Sequence, residues 1–305
     1  MRQKMSDRLV GYMYLALAMM LVGSTVVASK LIAAGLPVFT ATALRFAIAL
    51  PCFLLLMWVS GTRWQQITQI GRHDWLILLL QAGAGSLGYT TLLISGLHLT
   101  SAAGAGVIIG TLPIVSAAIA IMLLGERPQR FLLLAVMLAG AGVLSIVFDG
   151  NASGHHSLTG NALILCAVIC EGLFILLNKR LKTAIPPLAL SAIMTGLGLA
   201  LSIIPALFET PWHIHISSDA MMAAAWATVY YALVPTVAGF LLWYAGAARV
   251  SGSEAALFTA LAPVSAVLLA MVLLGEPVSR NQLIGIVCVL IAIGGMSLLG
   301  RQGNK

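Results

Sequence analysis

Long apolar runs, broken by short clusters of charged, glycine and proline residues, set the pattern of this chain. Reading each run between two breaks as one element predicts ten helical spans, at 9–30, 37–59, 75–95, 101–124, 131–149, 160–178, 187–208, 220–248, 253–274 and 282–300. Most are close to the roughly 20 residues that cross a hydrocarbon core about 30 Å thick. A helix satisfies its backbone polar groups internally where no water is present, which makes it the natural element for such runs. None alternates apolar and polar positions as a barrel strand would. The expected fold class is therefore an all-α membrane protein.

Composition agrees. Lys+Arg 16 and Asp+Glu 9 leave 8% of residues charged, against 60% hydrophobic, with a mean hydropathy of +1.04. Soluble domains carry about a quarter charged residues. The net charge of +7 does not point to nucleic acid, because the basic residues fall in short loops. With Met1 inside, Arg2, Lys4, Arg8, Arg63, Arg72, Arg127, Arg130, Lys179, Arg180, Lys182, Arg249, Arg301 and Lys305 share one side, and Lys30 and Arg280 lie opposite. That asymmetry predicts cytoplasmic termini, consistent with an even number of spans. The opening MRQK, apolar run and VVASK have the look of a signal peptide, but the run exceeds the 7–15 residues or so of a signal core. Cys52, Cys166, Cys170 and Cys288 all fall within spans, which gives no disulfide framework. Oligomeric state is not readable.

The most informative feature is an internal repeat. GLHLTSAAGAGVIIGTLPIVSAAIAIMLLGERPQR from Gly96 aligns without a gap, at an offset of 150, with GAARVSGSEAALFTALAPVSAVLLAMVLLGEPVSR from Gly246. Pro113 meets Pro263, and the LLGE ending at Glu126 meets the LLGE ending at Glu276. A weaker match at an offset of 149 pairs Gly11 with Gly160, Gly23 with Gly172, Lys30 with Lys179 and Pro37 with Pro186. The chain thus divides into residues 1–150 and 151–305. Five spans per half place the second copy in the membrane upside down, an arrangement common in secondary transporters that bind near the midplane. Pro113 and Pro263, near the middles of the fourth and ninth spans, are expected to kink their helices.

The doubled five-helix unit and the repeated P…LLGE signature resemble the EamA-type branch of the drug/metabolite transporter superfamily, over nearly the whole chain. The resemblance implies a bacterial inner-membrane carrier, typically an exporter of amino acids or related small metabolites. It implies a cavity built mainly from helices 1, 3, 4, 6, 8 and 9, and no catalytic residues. A flippase or a metal or drug exporter of the same superfamily is the alternative.

Chemistry concentrates at a few deep positions. Glu171, in GNALILCAVICEGLFILLN, is the one acidic residue far from any predicted span edge. It lies about 16 Å from Gly160 at the helical rise. A charged carboxylate there costs on the order of 3 kcal/mol, so Glu171 must face a cavity, meet a partner or hold a proton. It suits either proton coupling or reception of a substrate ammonium, and its counterpart in the first half is Val22. Arg45 is the second deep charge, suited to an interfacial anchor or to an anion. Lys30 ends the first span and suits an outer vestibule or an interfacial cap. In the eighth span Trp226, Tyr230 and Tyr244 are expected to share one face. Tyr89 and Thr90 on the third span add polar groups to the same cavity.

Other chemistries find little support. There is no GxxxxGK[ST] run for a nucleotide and no HExxH for a catalytic metal. An intramembrane enzyme would need an aspartyl or serine–histidine arrangement that the spans do not offer. His155, His156, His213 and His215 fall in predicted outer loops without an acidic or cysteine cluster beside them. No cofactor or resident metal is expected. The expected partners are a small-molecule substrate, the lipid bilayer and, for a coupled carrier, protons.

Overall fold

The structure, a computed structural model, describes residues 2–33, 35–61, 70–99, 108–147, 157–209, 218–274 and 279–299. Among them every regular element is helical. In the first half these are α1 (Arg2–Ala33), α2 (Val38–Val59), α3 (Arg72–Gly83), α4 (Tyr89–Leu99), α5 (Leu112–Leu124) and α6 (Arg130–Val147). The second half holds α7 (Leu158–Leu176), α8 (Pro187–Phe208), α9 (Ser218–Tyr231), α10 (Gly239–Ala247), α11 (Gly252–Phe258), α12 (Leu261–Leu274) and α13 (Arg280–Leu299). Seven stretches are long and apolar enough to cross a membrane. Three shorter apolar helices, Leu112–Leu124, Arg130–Ser145 and Arg280–Gly295, stand where the fourth, fifth and tenth spans were expected.

Irregularities recur at matching places in the two halves. A π-helical turn at Ala84–Gly88 joins α3 to α4, and a second at Ala232–Ala238 joins α9 to α10. The second has a visible cause. Pro235 offers no N–H to the carbonyl of Tyr231, and the Thr236 hydroxyl donates to that oxygen instead, at 2.9 Å. A second pair of irregularities consists of breaks at Gly110–Thr111 and at Thr259–Ala260. The expectation that Pro113 and Pro263 bend continuous helices is corrected here. Each stands in the first turn of a helix that restarts after the break, where a missing N–H costs nothing. The ring of Pro113 would also clash with the preceding helical turn, which favours a full break over a kink.

The halves interlock through their leading helices. α1 packs on α10 and α12 of the second half, while α7 packs on α4 and α5 of the first. Paired glycines make both contacts close. A Cβ on Gly23 would lie 1.7 Å from Ser265 Oγ, and one on Gly172 would lie 2.6 Å from Ile119 Cδ1. Small residues permit such approach where apolar burial gives little drive between helices in lipid. α2 pairs with α8, and α6 with α13, on the flanks.

The LLGE motif gains a role that its sequence conceals. Glu126, just beyond α5, accepts hydrogen bonds from Gly252 N at 2.6 Å, Ser253 N at 2.8 Å and Ser253 Oγ at 2.7 Å. It therefore caps the start of α11, in the other half, where backbone donors are unsatisfied and negative charge is favoured. Glu276, its counterpart, lies outside the described residues. Beside this cap Glu254 completes a capping box with Ser251 and accepts from Arg8 and from the Tyr12 hydroxyl of α1. Lys179 donates to the Ala247 and Val250 carbonyls at 2.7 and 2.6 Å and closes the end of α10.

Candidate functional site

Four other acids, two buried and two half-buried, show what a carboxylate within the bundle looks like when its role is structural. Asp74 accepts from Lys182 N and Thr183 N, and Glu209 from Phe39 N, Thr40 N and Thr40 Oγ1. With Glu126 and Glu254, every one of these is held by backbone donors. Glu171 is different. It sits in the second half of α7, enclosed by the bundle yet only half-buried, and among the described residues no hydrogen bond reaches its carboxylate. Its carboxylate is thus deep in the bundle, partly accessible and without a hydrogen-bond partner among the described residues.

Four groups act electrostatically on or beside Glu171 from other helices. Arg45 of α2 is the opposing charge, and the two form no ion pair within 4.0 Å. Tyr89 opens α4 immediately after the first π turn and feels both Glu171 and Tyr231. Tyr244 of α10 also feels Glu171 and is fully buried. Tyr231, the last residue of α9 before the second π turn, lays its ring 4.6 Å from the Arg45 guanidinium carbon. Aromatic rings pack nearby: Phe174, three residues after Glu171, lies 6.0 Å from Phe240, which meets Tyr244 edge-on at 5.9 Å. Below them Gln81 donates to the Phe174 carbonyl at 2.6 Å and to the Tyr244 oxygen at 3.4 Å.

Close helix approach holds this arrangement together. Gly85 and Gly88, in the π turn between α3 and α4, face Phe174 and Cys170 on the turn of α7 that carries Glu171. A Cβ on Gly85 would stand 2.4 Å from the Phe174 ring. Cys170 packs inward against Gly88, whereas Cys166 is exposed, so the pair does not converge with Glu171 on one point.

The expected face of Trp226, Tyr230 and Tyr244 does not form. Trp226 is 68% exposed and Tyr230 40% exposed, with the Tyr230 hydroxyl donating to Ser24 Oγ at 2.8 Å, while Tyr244 is buried. The reason is the π turn at Ala232–Ala238. Its wider turn shifts the phase of everything beyond it by about one residue, roughly 100° of rotation. Trp226 suits a membrane interface, where amphipathic rings gather. Sequence reading placed Tyr230 at the centre and missed its neighbour Tyr231; the signal available was the proline four residues beyond Tyr231. Thr90 adjoins Tyr89 and is half-buried. Lys30 falls in α1, but its side chain lies outside the described residues, as do His155, His156, His213 and His215.

Known proteins share this architecture. The family described as "EamA-like transporter family" matches twice, over residues 9–148 and 158–298. The chain belongs to the EamA-like transporter family. It is therefore a multi-pass membrane protein of a transporter family. A Bacillus subtilis protein named "Uncharacterized transporter YetK" is 36% identical over 283 residues, covering 92% of this chain and 84% of that one. A Streptantibioticus cattleyicolor protein named "Probable terminal-alkyne amino-acid exporter" is 29% identical over 167 residues, 54% of this chain and 52% of its own. One solved crystal structure superposes with a TM-score of 0.78 over 98% of this chain and 99% of its own, at 20% identity, a likeness of fold.

Proposed function

We propose that this EamA-like transporter is a secondary carrier of the bacterial cytoplasmic membrane that exports amino acids or related small metabolites by alternating access. The observation that carries this reading is the unpaired Glu171, the one internal acid among the described residues that is not held by backbone donors. A carboxylate left free in an apolar bundle is costly unless it meets a cargo or a proton during the cycle. Its two roles are compatible, since a proton and a substrate ammonium compete for the same oxygens and can exchange across the membrane. The opposing Arg45 supports an organic cargo over a bare metal cation, which its charge would repel.

Alternating access follows from the doubled sequence. Ten spans in two inverted halves, 1–150 and 151–305, give two bundles able to rock about a shared site, with both termini cytoplasmic by the distribution of basic residues. The matched π turns and helix breaks support that symmetry. The amino-acid class is supported by the name of the Streptantibioticus relative. The test compares metabolites retained by cells lacking the protein with those retained by overproducing cells. Export predicts that one amino acid or close relative accumulates inside the former and is depleted in the latter. Identical profiles when every amino acid is supplied in excess would overturn the reading.

A further inference from the structure

Arg45 presents a second unsatisfied group, and its surroundings specify a ligand. Its guanidinium carbon lies 4.4 Å from the Phe46 ring and 4.6 Å from the Tyr231 ring. None of its N–H donors reaches a protein acceptor among the described residues, and its Nε is buried without a partner. Rings packed on a guanidinium hold it by cation–π attraction but accept no strong hydrogen bond, so its planar fork of N–H groups stays available. That fork matches a carboxylate, which can receive two parallel bonds from it.

We propose that Arg45, held against Phe46 and Tyr231, is the carboxylate-binding subsite of the transport cavity, and that Tyr231 is its positioning residue. The Phe46 ring and the Tyr231 backbone are themselves held in place. Phe46 is buried against Gly198 of α8, where a Cβ would stand 2.7 Å from its ring. The backbone of Tyr231 is set by the Thr236 hydroxyl, which donates to its carbonyl at the turn that Pro235 imposes. The clamp therefore aims the guanidinium without a salt bridge, and a salt bridge would have occupied the donors that a ligand needs. Glu171 of α7 lies within Coulombic reach of Arg45 and supplies the complementary charge. A ligand spanning the two carries a carboxylate and an ammonium, and the Phe174, Phe240 and Tyr244 rings suit an apolar body between or beside them. This rests on the reading that Glu171 lines the transport cavity.

The experiment uses the full chain reconstituted in lipid nanodiscs and reads binding as stabilisation against heat. The probes are the twenty common L-amino acids, then the decarboxylated amine and the deaminated acid of whichever amino acid stabilises most. The wild type should bind that amino acid about tenfold or more tightly than its amine, as expected when a charged hydrogen-bonding partner is lost. Arg45→Lys and Arg45→Ala should erase this preference. Tyr231→Phe, which keeps the ring, should retain it, and Tyr231→Leu should reduce it. A merely structural role for Tyr231 would change overall stability without changing the ratio of amino acid to amine. The proposal is overturned if no amino acid binds, if the amine binds as tightly as the amino acid, or if the Arg45 variants keep the preference. Glu171→Gln separates the two readings. Normal amine binding by that variant would remove Glu171 from the site while leaving the carboxylate preference with Arg45.

Discussion

Replacing Glu126 by alanine removes a cap that one half of the protein supplies to the other. Three hydrogen bonds disappear at once, from Gly252 N, Ser253 N and Ser253 Oγ. Gly252 and Ser253 are buried, so water cannot readily replace the carboxylate. Loss of an N-cap costs about 0.5–2 kcal/mol, and hydrogen bonds to a charged group are worth about 1.5–3 kcal/mol each. The three share one carboxylate and do not add fully, and Glu126 is itself half-buried, which leaves about 2–4 kcal/mol. For a chain of this length that corresponds to a fall of about 5–10 °C in apparent melting temperature. The assay is tryptophan fluorescence during heating in detergent, with Glu126→Gln as the graded variant and Asp219→Asn, at an exposed position, as the control. Alanine should destabilise most, glutamine less and the control little. If Glu126→Ala melts with the wild type, the cap contributes nothing and the assignment of the LLGE glutamate is wrong.

Glycine substitutions should separate close packing from open space. Gly23→Ala should destabilise by about 1–3 kcal/mol, because its Cβ would stand 1.7 Å from Ser265 Oγ and 2.6 Å from the Ala262 carbonyl. Gly83→Ala meets nothing within 4 Å and should be neutral or mildly stabilising; equal melting curves for the two would contradict the packing of α1 on α12. Trp226→Leu should leave transport and substrate affinity unchanged in proteoliposomes, since Trp226 is 68% exposed. A loss of affinity comparable with that of a Tyr231 variant would return Trp226 to the cavity.

How far the sequence could be read depended on the range of the interaction concerned. Glu171 and Arg45 stood out because a deep charge is anomalous whatever surrounds it, and hydropathy alone reveals depth. The helical stretches and the repeat were equally legible, being properties of local composition and of spacing along the chain. Tyr231 was not, because its direction depends on a π turn that begins at the next residue. A uniform 3.6-residue period carried through Pro235 grouped the buried Tyr244 with Trp226 and Tyr230, which the structure leaves exposed. The two prolines of the repeat were read as kinks since their neighbours looked continuously helical; the breaks before them became visible only with the backbone. Glu126 looked like a span edge, since the helix that it caps begins 126 residues later. Its partner is set by how the halves interlock, which no local pattern encodes.

The central claim is that Glu171 is a working group of a transport cycle, and proton-linked flux tests it most directly. Wild-type and Glu171→Gln protein would be reconstituted in liposomes holding a pH-sensitive dye, and the amino acid identified by binding would be added on one side. The account predicts substrate-dependent proton movement in the wild type and none in Glu171→Gln, which keeps the shape of the side chain but neither ionises nor releases a proton. Undiminished substrate-dependent proton movement in Glu171→Gln would contradict it.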